Sequence, residues 1–164
     1  MGAFNAKITA EYNPPRKWVM QKPLMYDCTD LSKDELNTLA DIGVKLEGRK
    51  VVVKKGFTTD LASVPRICWN LIAPWDVARA AIIHDLLYKR IRQYRHRMAI
   101  EIGDGVTLGE DKWLVKAAKK AADKVFLCGM KDAEPSVPKW KIYSAYYSVA
   151  LFGRWSIKPN KDNI

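Results

Sequence analysis

The stretch RKVVVKKGFTTDLASVPR, residues 49–66, marks the change from strands to helices along this chain. Its first half is a β-branched run, which is typical of a strand, and Gly56 ends that run. In its second half, Pro65 lacks an amide donor and biases Val64 toward an extended conformation. We therefore expect a rigid loop that separates a β-rich N-terminal part from a helical remainder.

The sequence before this stretch predicts short strands and one helix. Between residues 4 and 27, apolar side chains alternate loosely on both sides of the turn sequence NPP, which predicts two strands. Ser32 is followed three positions later by Glu35, and this spacing is typical of a capping box at the start of a helix, here over residues 32–42. Residues 1–56 are thus expected to form a small antiparallel sheet with this short helix.

The sequence after the stretch predicts three further helices. An aspartate N-cap and the apolar periodicity favour the first over residues 76–93. Alanine and lysine, both strong helix formers, dominate the second over residues 111–130. A proline suited to a first turn and Gly153, suited to a helix end, bound the third over residues 138–153. The predicted fold class is α+β, as a single domain over residues 1–164.

Length and composition limit the possible classes of protein. A chain of 164 residues, 48% of them hydrophobic, can bury a core without disulfides or a structural metal. Its apolar runs fall far short of the roughly 20 residues that cross a bilayer, so no membrane span is expected. The first residues lack the pattern of a secretory signal, so we expect synthesis in a cytoplasm. The three cysteines, Cys28, Cys68 and Cys128, are widely spaced, which predicts small buried side chains and no zinc site.

Positive charge is concentrated in two segments of a chain whose net charge is +10. KRIRQYRHR spans residues 89–97, at the expected end of the first long helix, and KAAKKAADK spans residues 116–124. Either segment can contact phosphate, but a solvated helix face is the alternative, and no base-reading module is present. Nucleic acid is therefore a possible partner that the sequence does not favour. The basic residues singled out as candidates for binding are Arg66, Arg90, Arg92, Arg95 and Arg97.

Polar residues recur on one face of the first long helix. His84, Asp85, Tyr88 and Arg92 follow each other at helical spacing, opposite an apolar stripe, which predicts a polar cluster beside the core. The rigid loop before this helix adds Asp60, Ser63 and Arg66. Because the loop leads into the helix within about twenty residues, we expect the polar side chains of both to converge on one pocket. The catalytic candidates are His84, Asp85 and Asp60, with Ser63, Tyr88 and Asp123 in support.

Two interpretations of this cluster stay open. His84 can act as a general base that Asp60, Asp85 or Asp123 orients, or these carboxylates can hold a divalent metal beside a water nucleophile. Ser63 as a nucleophile is weaker, since it lacks the GxSxG turn. Alternatively, His84 and Asp85 form a buried hydrogen-bonded pair that fastens the loop to the helix. No cofactor follows from the sequence itself.

Aromatic side chains concentrate near the C-terminus. Trp140, Tyr146 and Trp155 are the candidates for binding, and Tyr143, Tyr147 and Phe152 lie among them. Aromatic residues are enriched at protein interfaces, whereas the alternative is that this group belongs to the core.

Four segments together resemble a known family. GFTTDLASVPR, HDLLY, AADKVF and YYSVALFGRW, within residues 50–155, are similar to the phage and bacterial proteins known as domain of unknown function 1353. The resemblance implies a phage or prophage origin and supplies no established activity. The segment between HDLLY and AADKVF is long and basic for this family, which points to a contact surface of its own. The residues that take the family's polar motif places are Asp60, Ser63, Pro65, Arg66, His84, Asp85, Tyr88 and Asp123.

Three functional hypotheses follow. The favoured one is a non-enzymatic component of a phage virion, made in the host cytoplasm, that binds other phage structural proteins in the tail or the head-to-tail region. The alternative is a small hydrolase that uses the His84 cluster. A weaker alternative is an inhibitor of a host defence protein.

Overall fold

A computed structural model of the chain describes residues 2–15, 17–60, 77–102, 108–134 and 136–159, with the side chains of 101–102 and 108–111 left aside. Ser63, Arg66, Cys68 and most of the predicted rigid loop lie outside the described residues. The order of elements is strands first and long helices after, which confirms the α+β class. The strands are β1 (Ala3–Phe4), β2 (Ala10–Asn13), β3 (Lys17–Met20), β4 (Leu24–Asp27), β5 (Leu46–Glu47), β6 (Lys50–Val53) and β7 (Thr58–Thr59). The helices are α1 (Lys33–Asp41), α2 (Ala78–Ile102), α3 (Leu108–Lys131) and α4 (Lys139–Ser156).

The described strands form two antiparallel sheets where one was expected. One sheet has the order β1-β4-β6-β5 and the other has the order β2-β3-β7. Four strands, and not two, lie in the region up to residue 27. The sequence did not show them because strands of two to four residues are too short for a clear alternation of apolar and polar residues. The second sheet includes β7, so the β-rich part continues to residue 59 and not only to residue 56 as expected. The chain then enters the loop that begins with the candidate residue Asp60.

The predicted capping box of α1 is present. The Ser32 hydroxyl accepts a hydrogen bond from the Glu35 amide at 3.1 Å, and the Glu35 carboxylate accepts one from the Ser32 amide at 2.8 Å. The same carboxylate lies 2.8 Å from the ammonium group of Lys124 on α3. The residues that start α1 therefore also fix its position against the long helix.

Helix α2 extends beyond its predicted end at residue 93. It continues to Ile102 because the basic segment of residues 89–97 contains no proline or glycine to stop it. The basic segment therefore lies inside the helix and not at its end. α3 and α4 begin and end within a few residues of the predicted limits.

Helix α2 is also buried on more sides than a two-faced helix would be. It packs against α3 on one side and against β4 and β6 on another. Most side chains from Val77 to Ile91 are buried as a result, including that of His84. The predicted division into an apolar core face and a polar face beside the core is therefore wrong for His84 and Tyr88, which lie inside the core.

Candidate functional site

One buried carboxylate organises the centre of the helical part. Asp123 on α3 accepts a hydrogen bond from the Tyr88 hydroxyl at 2.7 Å and lies 3.2 Å from Nε2 of His84. Its other oxygen lies 2.6 Å from the ammonium group of Lys119, one turn earlier on α3. We call these four residues the Asp123 cluster. It joins two residues spaced four apart on α2 and two residues spaced four apart on α3 into one network.

The Asp123 cluster also reaches the third helix. The Lys119 ammonium lies 3.4 Å from the Val149 carbonyl oxygen and 3.3 Å from that of Ala150, both on α4. Tyr88 packs against Gly153, where an added β-carbon would lie 2.2 Å from the phenolic oxygen. The cluster therefore holds α2, α3 and α4 together.

Burial sets the protonation states of the Asp123 cluster. Loss of hydration lowers the pKa of His84, and the neighbouring carboxylate only partly opposes this effect. Burial pushes the pKa of Asp123 upward, but hydrogen bonds from His84, Lys119 and Tyr88 outweigh it, so the pKa of that carboxyl is lowered. Burial and the carboxylate together raise the pKa of Tyr88. Near neutral pH a neutral imidazole thus donates to an ionised carboxylate, which is a hydrogen bond and not an ion pair.

These pKa shifts predict a loss of stability in acid. Below about pH 6.5, the ordinary pKa of histidine, the unfolded chain binds a proton at residue 84 that the folded chain does not. The lowered pKa of Asp123 acts in the same direction at still lower pH. We therefore expect the free energy of unfolding, measured with urea, to decrease steadily from about pH 7 to about pH 5.

The second histidine of the chain provides the control for this measurement. His96 lies on the same helix but outside the Asp123 cluster, so His96→Gln should keep the slope of stability against pH. His84→Gln should flatten it. A wild-type stability that does not change over this range would contradict the protonation states given above.

The His84 ring is enclosed by aromatic neighbours. Its centroid lies 4.0 Å from that of Tyr88 and 4.8 Å from that of Phe126. The side chain has no exposed surface, and Nδ1 has no hydrogen-bond partner among the described residues. A general base needs contact with its substrate, whereas this imidazole is closed off from solvent. The geometry therefore supports a structural role for His84, but its partner is Asp123 and not Asp85 as expected.

Asp85 belongs to a second group of interacting residues outside the Asp123 cluster. We call Thr59, Asp60, Asp85 and Arg92 the outer group. The Asp85 carboxylate accepts a hydrogen bond from the Thr59 hydroxyl at the end of β7, which fastens the second sheet to α2. Asp60 is exposed, and its carboxylate and that of Asp85 act on the half-buried guanidinium of Arg92. Burial lowers the pKa of Arg92, and the two carboxylates partly oppose this. The start of the loop thus lies close to α2, as expected, but its partners are Asp85 and Arg92.

The basic residues of α2 are divided between internal contacts and the surface. Arg92 donates to the Ser156 carbonyl at 3.0 Å and Arg95 donates to the Ile157 carbonyl at 2.9 Å, so both bind the C-terminal end of α4. Carbonyl groups at the C-terminal end of a helix attract positive charge. These arginines therefore act as capping residues for the C-terminal end of α4. Arg90 donates to Gln93, and Arg97 is exposed.

The aromatic residues of α4 lie on two sides of the helix. Tyr146 is half-buried against the core. A second set is exposed and recurs every three or four residues, with exposed fractions between 40% and 65%. We call this set the α4 aromatic face: Trp140, Tyr143, Tyr147, Leu151 and Trp155. Of the two interpretations, the core one therefore holds for only part of the group.

The sequence analysis did not predict the roles of three residues in these contacts, Thr59, Lys119 and Gly153. Lys119 stands four positions before Asp123, and this spacing on a helix was the available signal. Thr59 and Gly153 carried no such signal, because their roles depend on contacts between distant segments.

The described residues contain no group of three or more histidine, cysteine, aspartate or glutamate side chains arranged to hold a metal ion. Asp60, Asp85 and Asp123 are divided between the outer group and the Asp123 cluster. Within the same described ranges, no helix is long and apolar enough to cross a membrane.

Comparison with known proteins identifies a family for the chain. No curated protein and no solved structure matches the chain. A family model described as "Protein of unknown function (DUF1353)" matches residues 38–149, which run from within α1 to within α4 and include the whole Asp123 cluster. Since this match covers more than half of the sequence, the chain belongs to the DUF1353 family.

Proposed function

We propose that the protein is a component of a phage particle, in the tail or the head-to-tail region, and that it binds another virion protein through the α4 aromatic face. The observation that supports this proposal is the exposed stripe itself. From Trp140 to Trp155 it runs about 22 Å along the helix, at about 1.5 Å per residue. An exposed apolar patch of this kind marks an interaction site more often than bare surface.

The residue types of the α4 aromatic face suit a protein partner. Tryptophan and tyrosine contribute most of the binding energy in many protein interfaces. Tyr143 and Tyr147 stack with their ring centroids 6.3 Å apart, so part of the face is already ordered before binding. An ordered face loses less entropy when a partner binds.

Charge defines the partner further. α4 contains no aspartate or glutamate, and Lys139, Lys141 and Arg154 flank the aromatic face. The cations lie close to the rings, with the Lys141 ammonium 5.8 Å from the centroid of Trp140 and the Arg154 guanidinium 4.4 Å from that of Trp155. An apolar partner surface bordered by carboxylates complements this arrangement.

The buried polar residues fit this proposal as supports of α4. Lys119 contacts two carbonyl groups in the middle of the helix, and Arg92 and Arg95 contact its end. A rigid support keeps a binding face in one orientation. In this proposal, the polar motif positions the helix, and the helix binds the partner.

The experiment compares incorporation into purified particles. Phage that encode the wild-type chain should contain it in a fixed stoichiometry by quantitative mass spectrometry. The combined variant Tyr147→Ser, Leu151→Ser, Trp155→Ser should be incorporated at least about tenfold less, since loss of one strong contact costs about 2 kcal/mol. The same measurement on infected-cell lysate corrects for expression.

The control variant removes exposed apolar residues outside α4. Ile100→Ser with Trp113→Ser changes two side chains that are each 69% exposed, on α2 and α3. This variant should enter particles as the wild type does. Absence of the chain from particles despite its presence in the lysate would overturn the virion role. Normal incorporation of the α4 variant would overturn the role of the aromatic face.

A further inference from the structure

The α4 aromatic face has the surface form of a helix-packing site. Four of its members recur at intervals of four residues and form one ridge along the helix: Tyr143, Tyr147, Leu151 and Trp155. The next row at the same interval contains Ser144 and Ser148, which are small and half-buried, so a groove runs beside the ridge. The Ser148 hydroxyl donates to the Ser144 carbonyl at 2.8 Å, which turns it toward its own helix. Trp140 and Phe152 stand at the two ends of this row.

An occupant of the groove must satisfy its own backbone hydrogen bonds. The amides and carbonyls in the middle of α4 bond within the helix, so the face offers side chains only. An extended segment against these rings would lose the hydration of its backbone groups without gaining partners. A helix bonds its backbone groups internally and presents a ridge that fits a groove, and about 15 helical residues match the roughly 22 Å length of the face. The form of the face therefore favours a helical occupant.

Cations border the ridge at both of its ends. Lys139 and Lys141 lie on opposite sides of the ridge near its first end, since residues two apart point roughly 200° from each other around a helix axis. Arg154 lies near the other end, and the ammonium group of Lys131 on α3 lies 5.7 Å from the ring centroid of Tyr143. We call Lys131, Lys139, Lys141 and Arg154 the rim cations. Carboxylates near both ends of the occupant would complement them.

A second copy of this chain does not complement the face. Because α4 contains no acidic side chain, two copies in either relative orientation would bring Lys139, Lys141 and Arg154 against the same cations. Like charges that face each other oppose association. The charge pattern therefore favours a different chain as the occupant.

We propose that the α4 aromatic face receives an amphipathic α-helix of another virion protein, with apolar side chains along one side and aspartate or glutamate near both ends. The apolar side chains of that helix fill the groove over Ser144 and Ser148, and its carboxylates pair with the rim cations. This inference rests on the function proposed above and specifies the partner of the same face.

The test measures the binding of three synthetic peptides to the folded full-length chain by fluorescence anisotropy. The first peptide is an amphipathic helix of about 18 residues, with leucines along one face and glutamates near both ends. The second has the same composition in an order that spreads the leucines around the helix, and the third has lysines in place of the glutamates. The first should bind at least about tenfold more tightly than either of the others, because it alone matches both the groove and the rim cations.

The α4 variant assigns this binding to the aromatic face. Tyr147→Ser with Leu151→Ser and Trp155→Ser should weaken the binding of the first peptide at least about tenfold. The control variant Ile100→Ser with Trp113→Ser, which changes exposed apolar residues on other helices, should bind it as the wild type does. Circular dichroism spectra provide a check that both variants fold.

Reversal of charge tests the rim cations. In the combined variant Lys139→Glu, Lys141→Glu, Arg154→Glu, the lysine peptide should bind more tightly than the glutamate peptide, because the sign of the rim is inverted while the ridge is kept. The same variant should still discriminate against a lysine peptide whose leucines are spread around the helix.

Several outcomes would overturn this inference. Equal binding of the first two peptides would show that the helical apolar stripe is not recognised, and an unchanged preference after charge reversal would exclude the rim cations. A dimer that sedimentation velocity detects in the wild type and not in the α4 variant would identify a second copy as the occupant. Binding to vesicles of phosphatidylcholine and phosphatidylglycerol that depends on α4, without a preference for the first peptide, would identify a lipid surface.

These outcomes are distinct from a failure of the proposed function. Incorporation into particles is measured on phage, whereas peptide binding is measured on the purified chain. A chain that is absent from particles would overturn the virion role whatever the peptides do. A chain that depends on α4 for incorporation but shows none of the expected peptide preferences would keep the proposed function and overturn only the helical, acidic partner.

Discussion

Replacing Asp123 by asparagine should lower the free energy of unfolding by about 3–5 kcal/mol, the range found when one partner of a buried charged pair is removed. The carboxylate receives three donors, and an asparagine side chain retains only one acceptor oxygen. Lys119, whose side chain is 14% exposed, then has a buried positive charge beside a neutral amide. Urea denaturation at neutral pH measures the change.

A double-mutant cycle separates this electrostatic effect from a general loss of packing. Lys119→Met removes the charge and keeps most of the apolar length of the side chain. In that background, Asp123→Asn should cost at least about 1 kcal/mol less than in the wild type, because no unpaired ammonium remains. Additive costs for the two substitutions, or a cost below about 1 kcal/mol for Asp123→Asn alone, would contradict the assigned role.

Replacing Gly153 by alanine should destabilise the protein by about 1–3 kcal/mol through overpacking. The new β-carbon would lie 2.2 Å from the Tyr88 phenolic oxygen and 3.0 Å from the ring carbon that bears it. Tyr88 cannot simply move aside, because its hydroxyl donates to Asp123 at 2.7 Å. The result would oppose the usual preference of a helix for alanine over glycine, which is worth about 0.5–1 kcal/mol.

The matched background for this test is Tyr88→Phe. It removes the oxygen that meets the new β-carbon and also the hydrogen bond to Asp123. Gly153→Ala should therefore cost at least about 1 kcal/mol less in Tyr88→Phe than in the wild type, as measured by thermal or urea unfolding. An equal cost in both backgrounds would show that Tyr88 does not set the requirement for glycine.

Local signals in the sequence predicted local structure well. The spacing of Ser32 and Glu35 predicted the start of α1, and the composition of the C-terminal half predicted three long helices. The family was also recognised from its motifs. These features depend on residues that are close in sequence, where hydrogen-bonding and helix propensity act directly.

The arrangement of the site depended on contacts that a linear pattern does not contain. Periodicity placed His84 and Asp85 on one polar face, yet His84 faces Asp123 inside the core and Asp85 faces Thr59 at the edge of a sheet. Helix α3 packs on one side of α2, and strands β4 and β6 pack on another, so the polar residues of α2 face different neighbours. Gly153 was interpreted as a helix end, but it lies inside α4, where its lack of a side chain admits Tyr88.

The arginine contacts at the end of α4 have a consequence for the behaviour of the protein in salt. Arg92 and Arg95 are half-buried and bind carbonyl dipoles, so dissolved ions weaken these contacts much less than they weaken attraction between exposed charges. The C-terminal helix should therefore keep its attachment in concentrated brine. The carboxylates of Asp85 and Asp60 also offset the positive charge of Arg92, which reduces the field that an anionic polymer would experience.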